Sequence, residues 1–132
     1  VEGEQFVLGY ERAGLRRTAS IDLSERPIFH VCLPDWLAET RFIKPSDPDI
    51  VRQAREWIGD EKTALGAVRV LSSAVARHMQ GGTMIVETLS GPEVLRSKQG
   101  KCSEYATLFA SLARSAGIPT RIVLGMRLMT TS

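Results

Sequence analysis

Cys102 stands between a Gly100-Lys101 turn and a stretch whose apolar residues recur at helical spacing. A thiol in that place suits nucleophilic acyl transfer. The first N–H groups of a helix have no intrahelical acceptor, and the macrodipole adds about half a positive charge there. Both favour an anion, and the thiolate is the nucleophilic form of cysteine. In such chemistry sulfur attacks an amide or peptide carbonyl, a thioester forms, and water or an amine resolves it. The cysteine's own backbone N–H is a natural donor to the oxyanion.

The other candidate groups have plainer readings. Glu104 falls in the first turn of the same helix, where a carboxylate caps and complements the dipole rather than working as an acid or base. His78 lies near the end of a helical stretch, where positive charge is favourable, and His30 lies in the apolar run IFHVCL as a packed histidine. Cys32, in that same run, behaves as a small hydrophobe, and a disulfide to Cys102 would consume the nucleophile. Two cysteines without a CxxC pair or a histidine cluster do not make a zinc site, so neither metal nor cofactor is expected. The run from Gly91 to Gly100-Lys101-Cys102 is no phosphate loop. Eight residues separate its glycines where four are needed, cysteine follows the lysine, and a helix precedes it.

The elements that must position Cys102 follow from periodicity and punctuation. Tyr105, Leu108, Phe109, Leu112 and Ala116 form one apolar stripe, and Ala106, Ala110 and Ala113 permit close approach of a neighbouring layer. Gly117 supplies the residue past the helix end and Pro119 prevents continuation. Thr120 to Leu128 is predicted as a strand with Ile122, Leu124, Met126 and Leu128 on one face. Upstream, Asp47 can cap a helix whose first position is Pro48 and whose buried face is Ile50, Val51, Ala54, Trp57 and Ile58, ending at Gly59. A second helix near Lys62 to Met79 aligns Leu65, Val68, Leu71, Val75 and Met79, and Gly81-Gly82 stops it. Met84 to Leu89 reads as a loop or short extended piece, and Gly91-Pro92 opens a short helix through Arg96. Residues 1–33 read as strands at Gln5 to Glu11, Arg16 to Leu23 and Pro27 to Leu33, followed by a connector from Pro34 to Ser46.

Leu95, Gly100-Lys101-Cys102, Tyr105-Ala106, Leu108-Phe109-Ala110, Arg114 and Ala116-Gly117-Ile118-Pro119-Thr120-Arg121, with Val123 and Gly125, form a distinctive run. It resembles the transglutaminase-like superfamily, whose core is related to papain-type cysteine peptidases. With the N-terminal β-strands read above, the resemblance gives an α+β fold: those strands, then a helical block with the nucleophile helix, followed by the first strand of a truncated papain/transglutaminase-like core. It implies residues 34–132 as the N-terminal portion of such a domain; residues 1–33, which carry no mark of the family, read from their strand pattern as a β segment or the end of a preceding β-domain. It implies Cys102 as the catalytic nucleophile and a protein or peptide substrate. The family's cysteine works with a histidine and an aspartate on later strands, whereas this chain has no histidine after Cys102 and no aspartate after Asp60. The expectation is therefore a truncated piece of a longer, bacterial-looking protein, inactive by itself. Cross-linking, deamidation and hydrolysis stay open as outcomes. The alternative is a non-catalytic transglutaminase-like scaffold or protein-interaction domain.

Composition bounds the partners. The chain has 132 residues, 43% apolar residues and a net charge of +2, which suits a globular domain with a real core. Basic residues are spread rather than clustered with aromatics, so nucleic acid is not an expected partner. No run of 18 apolar residues is present to span a membrane. Localisation stays open, with an exported or periplasmic parent placed ahead of a cytoplasmic one. A strand at Thr120 to Leu128 with no downstream neighbour would present an edge for homodimerisation or for pairing with the N-terminal strands near Phe6 to Tyr10.

Overall fold

The computed structural model describes residues 5–12, 15–22, 34–82 and 87–125. Gln5–Arg12 (β1) and Leu15–Asp22 (β2) pair antiparallel, from Gln5 opposite Asp22 to Arg12 opposite Leu15. From Pro34 onward every regular element described is helical. A 3-10 turn at Pro34–Trp36 precedes α1 (Pro48–Ile58), α2 (Ala64–His78), α3 (Gly91–Ser97) and α4 (Cys102–Ser115).

Short-range chemistry sets the helix starts. The Asp47 carboxylate accepts from the N–H groups of Asp49 and Ile50 at 2.9 and 3.2 Å, and Pro48 occupies the position where a missing N–H is harmless. Thr63 Oγ1 accepts from Gly66 N–H at 3.1 Å to open α2. Glu93 Oε2 accepts from the Ser90 N–H and hydroxyl at 2.8 and 2.6 Å at the head of α3. Gly59, at φ +58°, and Gly117, at φ +80°, follow α1 and α4.

α4 is the hub and packs against α1, α2 and α3. Its Leu108 and Leu112 are fully buried with Ile50, Leu71 and Val94, and Tyr105 and Phe109 lean on the same cluster half-exposed. Fully burying each aliphatic side chain is worth roughly 1.5–3 kcal/mol. A second stripe on α4 is polar and equally buried: Glu104, Thr107, Ser111 and Arg114 are at most 8% exposed. Ser111 Oγ donates to Thr107 O at 2.9 Å and accepts from Lys44 N–H at 3.1 Å. The Arg114 guanidinium donates to Ala38 O at 2.5 Å and to Thr120 O at 2.6 and 3.0 Å. Thr120 N–H in turn donates to Trp36 O at 3.0 Å. The chain after Pro119 is thereby stapled to the connector before α1.

The α+β expectation does not hold. Residues 34–82 and 87–125 contain helices and no strand, and β1 and β2 form a two-stranded sheet with only each other. Residues 120–125 are not a strand, because the N–H and C=O groups there find no ladder. Val123 and Leu124 are 73% and 90% exposed, which alternation toward a buried face would not permit. The dimer expected through this edge has no described strand to carry it. Met126 and Leu128, the strand expected at Pro27 to Leu33, and residues His30 and Cys32 lie outside the described residues. No helix among the described residues is long and apolar enough to cross a membrane.

Candidate active site

Cys102 is the first residue of α4 and its thiol is exposed. The turn before it carries two unusual backbone conformations. Lys98 ends α3 in the left-handed region at φ +59°, and Gly100 sits at φ +150°. Gly100 is buried, and a Cβ there would fall 2.2 Å from Glu104 Cβ, so only glycine lets the turn lie against the first turn of α4.

Glu104 holds the two sides of Cys102. Its Oε2 accepts from Lys101 N–H at 2.8 Å and from the Ser103 hydroxyl at 3.0 Å, while the residue is only 5% exposed. A carboxylate committed to these donors caps the helix, and Tyr105 N–H to Lys101 O at 3.0 Å closes the first helical turn. The Cys102 N–H is left among the helix-start donors that no intrahelical carbonyl takes. An exposed sulfur beside such a donor can attack a carbonyl and have the resulting oxyanion stabilised nearby.

The end of α2 supports this turn from outside. Gln80 N–H donates to Lys98 O at 2.7 Å and Gly100 N–H to Gly81 O at 3.3 Å. A Cβ on Gly82 would meet Gly100 O and Lys101 Cγ, both at 2.9 Å, which shows how closely the two segments run.

His78 does not face Cys102. Its Nε2 donates to Leu95 O at 2.7 Å, and its ring meets Trp57 edge-on with centroids 5.2 Å apart. Among the described residues no hydrogen bond joins a histidine to the thiol. No group of three His, Cys, Asp or Glu among them is placed to hold a metal ion. A groove of about 790 Å³, lined by Val51, Ala54, Ile58, Glu61, Ser115 and Gly117, lies at the other end of α4. A helix of 14 residues is about 20 Å long, so this groove is not the pocket of Cys102.

Arg114 and Ser111 were invisible as structural anchors in the apolar pattern. The signal that could have found them is the recurrence of Glu104, Thr107, Ser111 and Arg114 at helical spacing, a polar stripe beside the apolar one. Burial pushes the Arg114 guanidinium below its ordinary value, and its three backbone-carbonyl bonds compensate for the lost water.

The family model described as transglutaminase-like superfamily matches residues 51–131, a span that takes in most of α1 and all of α2, α3, the Cys102 turn and α4. No curated protein and no solved structure matches the chain.

Proposed function

The chain belongs to the transglutaminase-like superfamily, and from that premise we propose that Cys102 is the nucleophile of a thiol acyl transfer on amide or peptide bonds. The observation that carries this reading is an exposed thiol at the first residue of α4, on a turn that Gly100 and the buried Glu104 carboxylate hold in one conformation. Sulfur adds to the carbonyl carbon, the C–N bond breaks, the departing amine takes a proton, and a thioester remains on Cys102. Water or a second amine then attacks the thioester, and the thiol is released. The substrate class is a protein or peptide offering a carboxamide or backbone amide.

This mechanism needs a base to accept the thiol proton and return it to the amine. His78 is not placed as that base: its Nε2–H bonds to Leu95 O and its ring packs edge-on against Trp57. Among the described residues no histidine is hydrogen-bonded to the thiol, and this favours a second reading, a non-catalytic scaffold that keeps the family's helical core and turn.

Incubation with a glutamine-containing peptide and a fluorescent amine separates the readings, with mass spectrometry scoring hydrolysis, deamidation and amine incorporation. Any turnover, whether by residues 1–132 or by a longer chain containing them, should vanish in Cys102→Ala, because removing a nucleophile costs several orders of magnitude. Turnover that survives Cys102→Ala overturns the nucleophile assignment. No turnover in any form, with Cys102 no more reactive than Cys32, supports the scaffold.

A further inference from the structure

We propose that His78 is a positioning residue for Cys102, acting through the turn that joins α3 to α4; this rests on the reading of Cys102 as the nucleophile. The last carbonyls of a helix have no intrahelical donor, and Leu95 O is one of them in α3. His78, the last residue of α2, supplies the missing donor at 2.7 Å. A carbonyl oxygen only accepts, so the bond places the imidazole proton on Nε2 and fixes the tautomer. Trp57 of α1 packs edge-on against the ring, with planes inclined at 66°, and sets its orientation. Three helices therefore meet at one imidazole.

What this junction controls lies immediately beyond it on both chains. Past His78, Met79 is buried, and Gln80 and Gly81 bond to Lys98 and Gly100. Past Leu95, the chain passes through Lys98 at φ +59° and Gly100 at φ +150° before reaching Cys102. A non-glycine residue in the left-handed region persists only where its surroundings over-determine it. The surroundings here are the α2 end, and His78 is a side chain that hydrogen-bonds this end to α3. Loosening that tie frees the Gln80–Gly82 segment from the turn, and Cys102 then samples positions away from the helix-start donors.

The test compares the whole chain with His78→Phe, His78→Gln and Ile50→Val. Phenylalanine keeps the ring against Trp57 and removes the donor. Glutamine offers an amide N–H in its place. Ile50→Val is a stability control in the fully buried core of α1. Amide hydrogen exchange at Gln80 and Gly100 reports the turn, and the rate of Cys102 alkylation by iodoacetamide reports the thiol. One lost hydrogen bond predicts exchange about tenfold faster at both amides in His78→Phe, with alkylation slowed several-fold. His78→Gln should restore both, and Ile50→Val should change neither beyond its effect on global stability. Unchanged exchange in His78→Phe overturns the proposal, as does an Ile50→Val response of equal size. If the exchange response appears while acyl transfer persists in Cys102→Ala, the hold of His78 on the turn stands and the nucleophile assignment falls.

Discussion

Gly91→Ala tests the contact that seats α3, and with it the turn, on the hub helix. Gly91 is buried at the first position of α3, and its N–H donates to Phe42 O at 2.8 Å. A Cβ there would fall 2.2 Å from Ser111 Oγ and 2.8 Å from Ser111 Cβ, with Ile50 Cδ1 behind it at 3.7 Å. Ser111 has nowhere to go. It is fully buried, and moving its hydroxyl breaks the bonds to Thr107 O and Lys44 N–H. Overpacking costs about 1–3 kcal/mol, and two weakened hydrogen bonds add about 1 kcal/mol each. The smaller backbone entropy of alanine in the unfolded chain returns about 0.4–1 kcal/mol. The net expectation is a loss of about 2–4 kcal/mol, which urea denaturation followed by circular dichroism would read as a midpoint lower by about 1–3 M. In a double-mutant cycle with Ser111→Gly the two losses should fail to add by at least about 1 kcal/mol, because the glycine vacates the clashing volume. A neutral or stabilising Gly91→Ala, or strict additivity in the cycle, would show that α3 and α4 do not approach this closely.

Gly100→Ala should loosen the nucleophile turn by about 2–4 kcal/mol, combining a side chain at φ +150° with a 2.2 Å clash on Glu104 Cβ; faster exchange of Lys101 N–H than in the parent is the readout, and parental exchange would contradict it. Arg114→Met keeps the stem volume but strands the Ala38 and Thr120 carbonyls, so a loss of about 2–4 kcal/mol is expected in thermal or urea unfolding, and a loss below about 0.5 kcal/mol would refute the staple. Glu61 is held below the ordinary carboxylate value first by the Thr63 N–H and then by the Thr63 hydroxyl, and Glu93 first by the Ser90 hydroxyl and then by the Ser90 N–H. A lowered folded-state value means stability fully present above the unfolded-state value near 4.5 and lost as pH falls through the folded-state value. Melting temperatures from pH 6 down to pH 3 should therefore fall less steeply in Glu61→Gln and Glu93→Gln than in the parent, and parallel curves would contradict that linkage.

The parts of this fold legible in the sequence are those decided within a few residues. Asp47-Pro48 marked the start of α1 and Gly59 its end, Gly91-Pro92 opened α3, and Gly117 followed α4, each through a bond or a φ value set locally. The apolar stripe of α4 likewise pointed to Leu108 and Leu112 as core. Burial of the polar stripe was not legible, because Ser111 is satisfied in part by Lys44, 67 positions away, and Arg114 in part by Ala38, 76 positions away. Periodicity records which residues share a face and is silent on what that face meets. The alternation of Ile122 and Leu124 misled for a related reason: a strand exists only where a neighbour completes its ladder, and Thr120 bonds to the Trp36 carbonyl of a helical turn instead. At the site, the place of Cys102 at the first position of α4 and the capping role of Glu104 followed from the turn-helix junction. The engagement of His78 with Leu95 is a tertiary contact between two helix ends, and no local pattern announces it.

On the proposed function, the turn before α4 presents Cys102 as an acyl acceptor. The most direct test is peptide mapping by mass spectrometry after brief exposure of the folded chain to p-nitrophenyl acetate at neutral pH. One acetyl group per chain is expected, on Cys102, absent from Cys102→Ala and slowed when Glu104→Ala removes the acceptor for Lys101 N–H and the Ser103 hydroxyl. Acetylation that falls first on Cys32, or on both thiols at equal rates, would contradict it.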